Sequence, residues 1–168
     1  IGGRLGSGAI EIGIVGDIKH SRVARSDIAA FTMLGADVTV IAPRTLLPPD
    51  VTGLGAVTTT TDLDAIIGDL DVLYLLRMQQ ERMTESLVPS LREYTERFGL
   101  TPARAGRLAE HALVMHPGPM NRGVEMAVDP SELAGSVITQ QVTNGIAVRM
   151  AVLFDLLGSG ANLEEHDG

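Results

Sequence analysis

Three polar segments stand where apolar runs of this chain end, and each carries groups suited to a small anionic ligand. Gly16-Asp-Ile-Lys-His-Ser-Arg22 brings Lys19, His20 and Arg22 to a point where a strand feeds a helix, with Arg25 following. Free backbone N–H groups and the helix dipole favour an anion there. Arg77 follows five residues that read as buried strand. An arginine so placed either pairs with an internal carboxylate or offers its planar fork to a ligand carboxylate. Gln79 lies two residues on, the same side if strand geometry persists. Its amide oxygen can accept from an ammonium, and its NH₂ can hold a loop. Glu81 and Arg82 read as braces of that loop.

His116-Pro-Gly-Pro119 is the most distinctive local motif. Pro117 and Pro119 flank Gly118, fix the backbone and have no N–H to pair, which leaves carbonyls free to accept from an amine. Gly118–Pro119 is a candidate cis bond. His116 could act as acid or base; a histidine that fixes the turn is the expected role. Two arginines with amide and carbonyl acceptors suit an amino acid bearing two carboxylates.

Other chemistries lack their residues. Ser21 and Ser26 have no arranged His–Asp partner, and no metal-ligand spacing exists. Gly13-Ile-Val-Gly16-Asp-Ile-Lys fails the three-glycine dinucleotide fingerprint, and no Walker A loop occurs, so no cofactor is expected. The site reads as one that binds and orients a nucleophilic substrate. For Lys19 and Arg25 a solvated or surface-paired role is the plainer reading.

The elements that position these groups follow from periodicity. Residues 11–18 and 37–42 read as strands joined by a helix over residues 22–34, capped by Ser21 or Asp17 and stopped near Gly35. Residues 56–59 suggest a third strand, 62–67 a short helix, and 72–76 a wholly apolar central strand. Helices are expected over residues 90–97 and from Pro102, a fifth strand over 112–115, and a last helix over 142–157, apolar nearly all round. The expected fold is α/β: a Rossmann-like, three-layer open parallel sheet with helices on both faces and ligands outside the carboxyl ends of its strands.

The 168 residues allow one sizeable core. A net charge of -8 argues against nucleic acid or anionic membrane as partners, so any anion site must be a local cationic cluster. The absence of cysteine excludes disulfides, thiolate catalysis and cysteine-ligated metals. No apolar run approaches the ~20 residues that span a bilayer, and a cytoplasmic location is expected. The opening IGGRLGSG, Gly-rich and without an initiator Met, reads as the end of a preceding segment.

Four motifs occur in order: Val15-Gly-Asp-Ile-Lys-His-Ser-Arg22 with Ser26, Arg77-Met-Gln79-Gln-Glu81-Arg82, His116-Pro-Gly-Pro119, and Gln140-Gln141 with Asn144-Gly145. Together they resemble the carboxyl-terminal, aspartate-binding half of the aspartate carbamoyltransferases, of an actinobacterial kind. The resemblance implies that Arg22 binds the α-carboxylate of L-aspartate, Arg77 its β-carboxylate, and Gln79 its amino group. The carbonyls of Pro117 and Gly118 would position that amine and the carbamoyl nitrogen, with Lys19, His20, Glu81, Arg82, His116 and Pro119 in support. Residues 77–97 would correspond to a mobile loop.

The same resemblance places carbamoyl phosphate mainly on an amino-terminal domain, with its Ser-Thr-Arg-Thr loop, that this chain lacks. It implies a homotrimer of complete catalytic subunits, possible regulatory partners, and no cofactor. The chain would then comprise a linker remnant over residues 1–10, an aspartate-binding domain over 11–157 and a flexible tail over 158–168. It would be inactive alone, with its last helix docking on the missing half. Gly118 stands where leucine is frequent and His20 where tyrosine is; neither change removes a carboxylate-binding side chain. Related ornithine enzymes carry a His-Cys-Leu-Pro motif, and this chain has no cysteine. A non-catalytic aspartate-binding or regulatory module, or a carbamoyltransferase for another amino acid, are the alternatives.

Overall fold

The computed structural model describes residues 9–78 and 90–161. Gln79, Gln80, Glu81 and Arg82 lie outside the described residues, as do residues 1–8 and 162–168.

Strands β1 (Glu11–Val15), β2 (Asp37–Ile41), β3 (Val57–Thr60), β4 (Val72–Leu75) and β5 (Leu113–Met115) form one sheet in the order β3-β2-β1-β4-β5. Every pairing is parallel. β1 and β4 occupy the middle and are almost wholly buried, which is why they read as unbroken apolar runs. From β1 the chain moves outward through β2 to β3, then crosses back to β4 and on to β5. Right-handed crossovers in opposite directions put the connecting helices on opposite faces. Helix α1 (Arg22–Met33) covers one; the β4–β5 connection, with α2 (Leu91–Phe98) and α3 (Pro102–Ala105), covers the other. The order reverses between β1 and β4, which defines a crevice at their carboxyl ends.

The helix starts obey local chemistry. The hydroxyls of Ser21, Ser90 and Thr101 accept from the N–H groups of Ala24, Glu93 and Arg104, capping α1, α2 and α3. Between the caps expected for α1, Ser21 takes the role and Asp17 turns to His20 instead. α1 closes at Leu34, one residue before Gly35. The core joins Ile12, Ile14, Val40, Leu73 and Leu75 among others; full burial of each such aliphatic chain contributes about 1.5–3 kcal/mol.

Two expectations need correction. Residues 62–67 form hydrogen-bonded turns, not a helix. Asp62 Oδ1 accepts from Ala65 N–H, while the Asp64 carboxylate is drawn to Arg104 and Arg107. Arg104, nearly buried, also donates to the carbonyls of Glu96 and Gly99, so it clamps the end of α2 to that turn. Its hydrogen bond is the main reason the Asp64 carboxyl titrates below the usual range. The last helix, α4 (Ile138–Ala161), is longer than periodicity indicated at both ends, and runs into the stretch expected as tail. The segment before it lies along β5: Val114 N–H donates to Gly135 O (2.9 Å) and Val137 N–H to Val114 O (3.1 Å). That pairing launches α4 from the sheet edge. Ile138 is buried, but from Val142 to Leu157 the helix is exposed, Phe154 to 81%.

Candidate functional site

The parallel register sets Val15 beside Leu75 and Tyr74 beside Met115, so the chain leaves β1, β4 and β5 at one edge of the sheet. The starts of the three polar segments, at Gly16, Arg77 and His116, therefore share that edge. This is the juxtaposition that periodicity could not supply.

The turn after β1 is tightly built. Gly16 has φ 136°, and a Cβ there would lie 2.8 Å from the Leu76 Cβ, so only glycine lets β1 and β4 leave the sheet this close together. Asp17 is almost fully buried; its Oδ1 accepts from His20 N–H (3.1 Å) and lies 3.0 Å from His20 Nδ1. Lys19 N–H donates to Leu46 O (2.9 Å), and Arg25 Nη2 donates to Lys19 O (3.1 Å). His20 and Arg25 thus brace the turn; Arg25 bonds a carbonyl where a solvated or surface-paired role was the plainer expectation. Arg22 opens α1 with an exposed side chain that bonds no other described residue. A guanidinium on the first turn of a helix is a favourable place for a carboxylate.

Arg77 sits between two buried residues, Leu76 and Met78, yet is itself exposed. It has no hydrogen bond or ion pair among the described residues. Of the two readings left open for it, an internal carboxylate partner is not found among the described residues.

The turn after β5 is held from four sides. His116 is 0% exposed, and both ring nitrogens are used. Nδ1 accepts from Gly118 N–H (2.9 Å), so the ring hydrogen is on Nε2, which donates to Glu125 Oε1 (3.2 Å). The same Glu125 oxygen accepts from Asn121 N–H (2.6 Å). Asn121 Nδ2 donates to the Met78 carbonyl (2.6 Å), tying this turn to the residue after Arg77. Gln141 Oε1 accepts from His116 N–H (3.1 Å). His116 is a structural pin with no free nitrogen for acid–base work. Gly118 has φ 63° and its bond to Pro119 is cis, as the motif suggested. The Gly118 N–H is spent on His116, and neither proline has one, so the turn presents to a ligand only carbonyls.

Beneath these turns, α2 contributes Tyr94, stacked on Phe98 at 5.6 Å. Its buried hydroxyl is pushed well above the usual phenol range by burial first, then by the charges of Glu125 and Asp17. Asn121, Glu125 and Tyr94 escaped notice in the sequence. A buried carboxylate and a turn amide announce themselves only through the partners that folding gives them. For Gln141 there was a signal, its place in the fourth motif. Among the described residues no cluster of His, Asp and Glu could hold a metal ion.

Sheet order and site together define an open α/β domain that takes a small ligand at its topological switch point. The family model described as aspartate/ornithine carbamoyltransferase, Asp/Orn binding domain, matches residues 9–156. The chain belongs to that family. It is 49% identical over 95% of its length to the aspartate carbamoyltransferase catalytic subunit of Thermobifida fusca, covering 50% of that protein. It is 53% identical over 89% of its length to the corresponding subunit of Roseiflexus castenholzii, covering 48%. Among solved structures it resembles aspartate transcarbamoylase from Trypanosoma cruzi in complex with phosphate (TM-score 0.72, 26% identity, 87% of this chain and 49% of that one). It also resembles ornithine carbamoyltransferase from Pyrococcus furiosus (TM-score 0.71, 25% identity, the same coverage). The chain spans about half the length of the curated relatives it matches.

Proposed function

We propose that this domain binds L-aspartate and presents its α-amine to carbamoyl phosphate, giving N-carbamoyl-L-aspartate and phosphate in de novo pyrimidine synthesis. The observation that carries this reading is Arg77, an exposed guanidinium without an ionic partner among the described residues, joined through Met78 and Asn121 to a turn that offers carbonyls. Arg22 takes the α-carboxylate and Arg77 the side-chain carboxylate. Gln79 and the carbonyls of Pro117 and Gly118 hold the amine, with Lys19, His20, Glu81, Arg82, His116 and Pro119 in support. One relative by fold, the T. cruzi enzyme, has been solved with N-(phosphonacetyl)-L-aspartic acid, which supports the choice of ligand.

The amine attacks the carbonyl carbon of carbamoyl phosphate, and the tetrahedral intermediate collapses with departure of phosphate. Nothing in these turns attacks the electrophile; their part is orientation and charge complementarity. Carbamoyl phosphate is held mainly by an amino-terminal domain, and complete subunits assemble as a cytoplasmic homotrimer. The exposed apolar length of α4, including Ile146, Met150, Leu153 and Leu157, covers itself against that domain.

The test is carbamoylation by the complete enzyme with L-aspartate and L-ornithine in parallel. Preference for aspartate, with competition by succinate, is expected. Preference for ornithine would overturn the assignment.

A further inference from the structure

Gln141 Oε1 receives the backbone N–H of His116, and its Nε2 donates to the Tyr74 hydroxyl at 3.0 Å. Tyr74 is buried inside the sheet, and its hydroxyl lies close enough to the Asp27 carboxylate for the two to interact. Asp27 stands one helical turn before Phe31 on α1, and Phe31 meets the Tyr74 ring edge-on at 6.4 Å between centroids. The Asp27 carboxylate is partly buried, and its Oδ2 has no partner among the described residues. A tyrosine hydroxyl at a sheet centre needs a partner, and here it has two, from helices on either side of it in the chain.

The chain of contacts links the described elements that carry Arg22, Arg77 and the Pro117–Gly118 carbonyls. Asp27 lies on the helix that begins with Arg22, and Tyr74 is three residues before Arg77. His116 begins the turn of Pro117 and Gly118, while Gln141 sits in the first turns of α4. We propose that Asp27, Tyr74 and Gln141 form a positioning relay that sets the His116–Pro119 turn against the helix of Arg22 and the strand of Arg77. The relay deepens the aspartate reading and rests on it. It assigns placement of the amine-binding carbonyls to residues that do not touch substrate. It also makes the start of α4 part of the aspartate site, so that docking of the rest of α4 is felt there.

The experiment compares Tyr74→Phe and Gln141→Met with the unsubstituted complete enzyme. Tyr74→Phe removes one oxygen and keeps the ring; Gln141→Met keeps the length and removes both bonds. Each is expected to raise KM for L-aspartate about fivefold, the change that one lost buried hydrogen bond amounts to. KM for carbamoyl phosphate, held mainly by the amino-terminal domain, should change much less, a split that general loosening would not produce. The double variant should fall short of the product of the single effects, because both cut one chain. Backbone hydrogen exchange at His116 supplies a readout without substrate: it should quicken in both variants while Ile14 stays protected.

An unsubstituted enzyme that ignores aspartate would defeat the functional reading, and the His116 exchange would still judge the relay. Unchanged aspartate KM and unchanged His116 exchange in Tyr74→Phe would overturn the relay. So would equal rises in both KM values, or loss of folding in both variants without a selective effect, since these assign the residues to stability alone.

Discussion

The Asn121 side chain donates to the backbone carbonyl of Met78 across 2.6 Å, although the two residues are 43 positions apart. Through this bond the turn that follows β5 is fastened to the chain that leaves β4, next to Arg77. Asn121→Ala should leave the Met78 carbonyl without its donor and free the turn. A loss of about 1–2 kcal/mol in unfolding free energy is expected, the cost of a partly buried acceptor left unpaired. KM for L-aspartate should rise several-fold with it. Denaturant unfolding and steady-state kinetics on the same preparation check both.

Arg77 is exposed and makes no bond among the described residues. Arg77→Ala is expected to leave the unfolding midpoint within ~0.5 kcal/mol of the parent. It should lower kcat/KM for aspartate by about a hundredfold or more, the scale of a lost charge-assisted pair of about 3 kcal/mol. Arg77→Lys should recover little, because an ammonium cannot reproduce the two-pronged contact. A variant that binds aspartate normally would refute this role.

Burial pushes the Asp27 carboxyl up to about 6, with the Tyr74 hydrogen bond pulling weakly the other way. The folded chain therefore keeps a proton that the unfolded chain has released. That contribution is complete below the ordinary aspartate range and is lost as pH rises towards about 6. Asp27→Asn should remove this slope. The difference between wild-type and variant stability curves should span on the order of 1 kcal/mol, a figure reduced for the partial exposure of the group. Unfolding at several pH values between about 4 and 7 would show it, and a difference curve of opposite sign would refute it.

α4 exposes Ile146, Met150, Leu153 and Leu157 along one stripe. The 168-residue chain alone is expected to self-associate and to form no carbamoyl aspartate. In the complete enzyme, Leu153→Glu with Leu157→Glu should weaken the docking of this helix. Backbone hydrogen exchange along α4 would read the effect directly: slow in the parent, fast in the variant. Turnover by the 168-residue chain at an ordinary enzymatic rate would end the idea that it needs the other half.

Much of the architecture was legible locally. The Ser21, Ser90 and Thr101 caps, the apolar run of β4 and the proline-flanked Gly118 each express a preference settled within a few residues. The failures had non-local causes. Residues 62–67 have a helical pattern, but Asp64 is claimed by Arg104 and Arg107 from some 40 positions away. Val137 is tied to β5 before α4 begins, which set the true start of that helix.

The candidate site divides the same way. Residue types alone pointed to Arg22, Arg77 and the His116–Pro119 turn, because few side chains can grip a carboxylate and two prolines strip a backbone of donors. That the chain reaches these groups from one edge of the sheet was decided by the strand order β3-β2-β1-β4-β5. The partners that hold them were decided there too: Glu125 under His116, Asn121 on Met78, and Gln141 reaching Tyr74 across 67 positions. Short-range preferences act between neighbours in the chain. A buried polar atom is satisfied by whatever the packed sheet brings within about 3 Å, and only the tertiary structure makes that choice.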